Sequence, residues 1–115
     1  DYEAKMASLV EKELVQLGLL TADEVANQDP KKPLYKKYFM HGTAHYIGLD
    51  VHDVGVYSRT IEAGMVFTCE PGIYIPEEGI GCRLENDYLI TEEGNINLTA
   101  AMPIEIEEIE TLMHN

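Results

Sequence analysis

Three histidines, His41, His45 and His52, fall inside the single stretch HGTAHYIGLDVHD of this 115-residue chain. An imidazole can ligate a metal, carry a proton near neutral pH, or simply satisfy itself on a carbonyl. A lone histidine in an apolar setting is most often the last of these. Three so close together leave a metal site, an acid–base site and a surface pH sensor all open. The spacing of four between His41 and His45 would put both on one face of a helix, and equally on one face of a strand.

Two acidic positions join them. In TCEPGIY an apolar run delivers Glu70 just before Pro71 and Gly72 turn the chain. A carboxylate after Met65, Val66 and Phe67 is costly to bury unless a cation or donor meets it; a solvated strand end is the plainer alternative. In Arg83-Leu84-Glu85-Asn86-Asp87, strand alternation aims Arg83, Glu85 and Asp87 to one face. That face is either wet, with a cross-strand ion pair, or buried, with a ligand and its positioning arginine. Histidine with two glutamates is a mixed nitrogen and oxygen donor set, suited to Mn, Co, Zn or Fe and unlike a structural thiolate site. Cys69 and Cys82 form no C-x-x-C pair and, by alternation, read as core residues on the opposite face.

The elements that must position these groups follow from hydrophobic period and punctuation. Tyr2, Met6, Leu9, Val10, Leu14 and Leu17 recur at three and four, predicting a helix from Tyr2 to about Leu17 that stops at Gly18. Thr21-Ala-Asp-Glu24 has the form of a capping box opening a second, short helix, and Asp29, Pro30 and Pro33 end it in a loop. Beyond Lys36 the texture changes to short apolar runs broken by glycine: YFMHGTAHYIGLDVHDVG, GMVFTCEPGIYIP and GIGCRLENDYLIT. These read as strands and turns, with Glu92-Glu93-Gly94-Asn95 turning the last hairpin. In MPIEIEEIETLM, Ile106, Ile109 and Met113 predict a closing helix. Helices followed by an antiparallel sheet and a C-terminal helix make the fold class α+β.

Composition bounds the rest. Eight Lys and Arg against 21 Asp and Glu give a formal charge of −13, which repels phosphate backbones and anionic lipids, so neither nucleic acid nor membrane is an expected partner. A hydrophobic fraction of 45% suffices for a core, and the length suits one domain or a piece of one. No apolar run approaches a membrane span, and two unpaired-looking cysteines fit a reducing, cytoplasmic setting. The chain opens at Asp1 without an initiator Met, which reads as a cut from something longer.

The order HGTAHYIGLDVHDVG, EPGIY and GIGCRLENDYLITEEGNINLT strongly resembles the catalytic domain of the aminopeptidase P and prolidase family, with its pita-bread fold. The match runs from about Tyr38 to Met113, and the leading helices stand where that family places them. The resemblance implies that His45, Glu70 and Glu85 are metal ligands, Glu70 also shuttling protons and Glu85 bridging two metals. It implies that His41 and His52 line the substrate site and steady the reacting carbonyl, and that Arg83 organises the site beside Glu85. The implied reaction is removal of an N-terminal residue standing before proline. Two divalent ions, usually Mn2+ with Co2+ or Zn2+ as alternatives, activate the attacking water in that family.

The family uses five protein ligands, two of them aspartates on strands preceding the first helix seen here. Asp1, Glu3 and Asp23 are in the wrong context to replace them. The expectation is that residues 1–115 form the C-terminal half of a metallopeptidase catalytic domain. Alone it would hold at most one metal weakly and be inactive. Its expected partners are the N-terminal half, peptides with proline second, and a second copy of itself. Two other functions in the same fold are a dipeptide-specific prolidase and a non-catalytic peptide- or protein-binding module. A purely structural acidic domain would explain the composition but not the motif order.

Overall fold

A computed structural model describes residues 2–114; Asp1, singled out above, lies outside the described residues. Three α-helices and five strands follow in the order α1 (Tyr2–Gln16), α2 (Ala22–Ala26), β1 (Val66–Cys69), β2 (Gly72–Ile75), β3 (Ile80–Arg83), β4 (Asn86–Thr91), β5 (Gly94–Asn97) and α3 (Ile106–Met113), with a 3-10 turn at Leu34–Lys37 after α2. The chain divides into two compact units. One runs through Thr43 and takes in Gly72–Arg83; the other is Ala44–Pro71 with the chain from Leu84 onward.

The first unit is built on α1, whose spacing of apolar residues turns Leu14 fully inward. Gly18 adopts φ +74, a left-handed conformation that stops the helix. Leu19 and Leu20 N–H then both close back onto the Leu14 carbonyl, at 3.0 and 3.3 Å. The capping box forms as the sequence predicts. Glu24 N–H donates to Thr21 Oγ1 at 3.2 Å, and Glu24 Oε2 accepts from Thr21 N–H at 2.8 Å. A bond from the Thr21 hydroxyl at 2.7 Å, and after it the one from the Thr21 N–H, holds the Glu24 carboxyl below its ordinary range.

Leu14, Leu20 and Tyr38 form the core of this unit, with Val10, Val25, Ile73 and Ile75 packed on it. The hairpin β2–β3 pairs antiparallel in the register Gly72↔Arg83 to Ile75↔Ile80, and Tyr74 N–H docks it on the Tyr38 carbonyl at 2.9 Å. At the surface, Lys37 pairs with Glu77. A hydrogen bond to Glu77, then one to the Tyr38 hydroxyl, pushes the Lys37 ammonium pKa up, while the Glu77 carboxyl is held down by the same pair.

The second unit is a three-stranded antiparallel sheet in the order β1-β4-β5, registered Val66↔Leu89 to Cys69↔Asn86 and Tyr88↔Asn97 to Thr91↔Gly94. Three expectations are corrected here. The stretch from Phe39 to Met65 forms no helix or strand beyond one bridge, Tyr46↔Phe67, because glycines and an aspartate-rich loop break it before a ladder can form. Helix α3 exists but encloses nothing: Ile106 is 69% and Met113 81% exposed. Cys82 is exposed and Cys69 only half-buried, so the cysteines do not make a core; β3, where Cys82 sits, is exposed along its whole length.

Candidate metal centre

The second unit collects the donors around the end of β1. Alternation along β1 places Thr68 and Glu70 on one face. Carrying the β1–β4 register one step beyond Cys69↔Asn86 sets Glu70 opposite Glu85. There the ladder is interrupted, since Pro71 has no N–H to give, and it resumes with Leu84 N–H donating to the Pro71 carbonyl at 3.0 Å. Two like charges directly across a strand pair repel one another. A positive group or ion between them would relieve that repulsion.

His45 supplies the third donor. Its main chain is fastened to β1: His45 N–H donates to Thr68 Oγ1, and Thr68 N–H donates to the His45 carbonyl, both at 3.0 Å. Its ring Nδ1 lies 2.9 Å from the Tyr46 carbonyl. A carbonyl only accepts, so Nδ1 carries the proton, and in the neutral ring Nε2 presents a lone pair. That lone pair faces Glu70 Oε1 at 3.8 Å and Glu85 Oε1 at 3.6 Å. These separations are too long for hydrogen bonds. They suit a shared ion, since two donors each about 2.1 Å from one cation lie at most about 4.2 Å apart.

The three ligand atoms all fall within 4.8 Å of one another, and they are the group among the described residues that could hold a metal. His45 and Glu70 are each only 8% exposed, whereas the Glu85 side chain is 41% exposed. One imidazole nitrogen with two carboxylates, one enclosed and one exposed, is a mixed donor set of the kind that suits a divalent cation.

Around this centre, His52 is exposed and packs edge-on against the His45 ring, with centroids 4.3 Å apart. The Tyr46 carbonyl that fixes the His45 tautomer also accepts Asp53 N–H at 3.0 Å. The Tyr46 ring crowds Gly55, where an added Cβ would come within 1.9 Å of Tyr46 Cδ2.

His41 and Arg83 belong to the other unit, and there they share a neighbour. Arg83 Nε donates to the Tyr74 hydroxyl at 2.9 Å, and the His41 ring stands edge-on to Tyr74 at 5.5 Å and tilted on Phe39 at 4.5 Å. His41 Nδ1 donates to the Gly42 carbonyl at 2.6 Å, and its Nε2 is enclosed without a hydrogen-bond partner among the described residues. The expectation that His41 and His45 share a face of one element fails, since neither sits in a helix or strand. The face expected for Arg83, Glu85 and Asp87 is likewise broken, because β3 ends at Arg83 and β4 starts at Asn86.

Sequence reasoning missed Thr68, Tyr46 and Tyr74. Thr68 was visible in principle, two places before Glu70; the roles of the Tyr46 carbonyl and the Tyr74 hydroxyl depend on loop paths that no period announces.

An α+β fold in which enclosed His45 and Glu70 converge with exposed Glu85 has a group of side chains that could hold a metal ion. Comparison with known proteins narrows the class. The description of Metallopeptidase family M24 matches residues 5–92. The chain is 52% identical over 114 residues to the Xaa-Pro aminopeptidase of Escherichia coli, covering 87% of this chain and 25% of that protein. It is 48% identical over 113 residues to the Xaa-Pro aminopeptidase of Haemophilus influenzae, covering 88% of this chain and 26% of that one. The solved structure of Zn-substituted E. coli aminopeptidase P in complex with product superposes with a TM-score of 0.77 at 45% identity, over 96% of this chain and 28% of that chain.

The chain therefore belongs to metallopeptidase family M24, and its fold is a portion of the pita-bread fold of aminopeptidase P. It spans about a quarter of the length of the curated relatives it matches.

Proposed function

We propose that this chain is the C-terminal half of the catalytic domain of a Xaa-Pro aminopeptidase, which releases the N-terminal residue preceding proline. The observation that carries the reading is the cluster of His45 Nε2 with the Glu70 and Glu85 carboxylates, lone pair against paired like charges. Intact donors favour it over a non-catalytic binding module, which has no use for all three.

In this reading His45, Glu70 and Glu85 hold divalent metal, Mn2+ by preference. Bound there, the metal would polarise the scissile carbonyl and lower the pKa of the attacking water. Glu70, nearly enclosed at the end of β1, takes up the water's proton at its carboxylate and returns it to the leaving amine. His52, beside His45, and His41 orient the substrate carbonyl, while Arg83 is held for its part by the Tyr74 hydroxyl.

Three donors can retain one cation weakly, and two further aspartates would come from the part of the relatives' length that this chain does not span. The isolated chain is accordingly inactive. Its partners are the N-terminal half, a peptide with proline second and, in the absence of that half, a second copy of itself, in the cytoplasm. The deciding experiment titrates Mn2+ by calorimetry while following cleavage of an Ala-Pro-containing peptide, first on this chain and then with the N-terminal half of the domain added. Weak binding alone, followed by tight binding and cleavage on addition, is the expected result. No binding and no cleavage after reconstitution would remove the enzyme reading. Sedimentation that shows a concentration-independent monomer would remove self-association.

A further inference from the structure

We infer that Thr68 is a positioning residue of the metal centre, holding His45 in place relative to Glu70 through the main chain of residue 45; the inference rests on the metal-binding reading above.

Thr68 is fully enclosed, and its hydroxyl is bonded to the main chain of His45 rather than to the His45 ring. Its hydroxyl accepts the His45 N–H and its own N–H donates to the His45 carbonyl, both at 3.0 Å. One residue thus satisfies both polar groups of the ligand's backbone. His45 has no helix or strand of its own to fix it, since the segment around it is irregular apart from the Tyr46↔Phe67 bridge. Thr68 also sits two places before Glu70, which directly follows β1, so whatever fixes residue 45 to residue 68 fixes the histidine relative to the glutamate.

Residue type is part of the inference. A β-branched side chain has few χ1 states, so the acceptor oxygen is held still. Valine has the same outline but no acceptor. At position 68 it would leave the His45 N–H buried and unpaired, and the segment would move to find another partner. Serine keeps the acceptor. Partners one step removed from a metal typically change affinity about 10- to 100-fold when lost.

The test compares Thr68→Val, Thr68→Ser and Thr91→Val in this chain. Thr91 accepts a main-chain N–H from Glu93 at the far end of β4, so its valine variant removes the same kind of bond away from the donors. Calorimetry with Mn2+ alone, and with Zn2+ alone in parallel, reads affinity; amide hydrogen exchange at His45 reads the bond directly, with or without metal. We expect Thr68→Val to lose about tenfold or more in affinity and to expose the His45 amide to exchange, with Thr68→Ser retaining most of both. Thr91→Val should leave both unchanged. Unaltered affinity in Thr68→Val, or an equal loss in Thr91→Val, overturns the positioning role while leaving the metal centre standing. If the unsubstituted chain binds neither ion, the metal reading fails and this inference with it. Should Thr68→Val fail to fold, Thr68→Ser decides: a loss as large as that of a Glu70→Ala variant would show that the hydroxyl alone is not what matters.

Discussion

The two compact units differ in how much of what they enclose is apolar. In the first, among the described residues, Leu14, Leu20, Tyr38 and Phe39 are enclosed with a single polar side chain, Thr43; in the second, the enclosed side chains are His45, Thr68 and Glu70, all polar. Apolar burial is non-directional and independent of solutes, so what the first unit gains from its core does not depend on a ligand. The second spends its interior on hydrogen bonds and on one enclosed carboxylate, Glu70, which stands across from the exposed Glu85. Such an interior gains most when a cation arrives. The contrast teaches that the more apolar unit draws its stability from packing, whereas the more polar one has side chains that a bound cation would satisfy.

The sharpest way to break that contrast is to empty the apolar core. Leu14→Ala should cost about 2–5 kcal/mol, read in urea unfolding, and the loss should show first as faster amide exchange in α1 and the β2–β3 hairpin. A cost below about 1 kcal/mol would mean that the first unit does not depend on Leu14 in the way its enclosure indicates.

Next in size is the response to metal. At a free Mn2+ concentration a hundredfold above its dissociation constant, the second unit should gain about 2.7 kcal/mol, seen as slower exchange in β1 and β4 and reversed by a chelator. Equal slowing in α1 would erase the distinction between the units.

Smaller still is the first unit's cap. Thr21→Ala removes the hydroxyl that accepts Glu24 N–H and should cost about 1 kcal/mol by thermal unfolding. In the second unit, Glu85→Gln should do the reverse without metal. Relief of the Glu70–Glu85 opposition stabilises by roughly 0.2–1 kcal/mol, while Mn2+ affinity falls. A variant less stable than the parent without metal would show that the two carboxylates do not repel.

The smallest effect is that of acid on the first unit. Glu24 and Glu77 have pKa values below their ordinary 4.5 when folded, so the stability they add is present above that value and is lost as pH falls through the folded values. Lys37, whose pKa is raised, contributes below about 10.5 and loses its share only in strong alkali. All three are on the surface and screened by salt, so Glu24→Gln should flatten the acid limb of a thermal-unfolding profile only slightly.

Legibility in the sequence followed the same division. Helix α1, its stop at Gly18 and the Thr21–Glu24 cap were plain because each depends on residues within a few places of one another. Strands β1 and β2 showed in their apolar runs, and the three donors His45, Glu70 and Glu85 could be picked out by type and motif. Their assembly could not. His45 reaches Glu70 through a loop without period, and the pairing of β1 with β4 depends on contacts between residues about twenty places apart in sequence, such as Val66 with Leu89. Cys82 was misplaced because alternation says which face a residue takes but not whether anything covers that face. The same gap explains α3: its spacing specified a helix, and nothing in it specified a neighbour.

The Tyr46 ring crowded against Gly55 has a consequence for what this sequence can tolerate. Residue 55 ligates nothing, and its surroundings would pass for ordinary loop. Yet one methyl group there collides with the ring of the residue whose carbonyl sets the His45 proton. In a library of random substitutions, position 55 should be as thinly populated as the metal ligands themselves, an intolerance imposed by the shape of a loop.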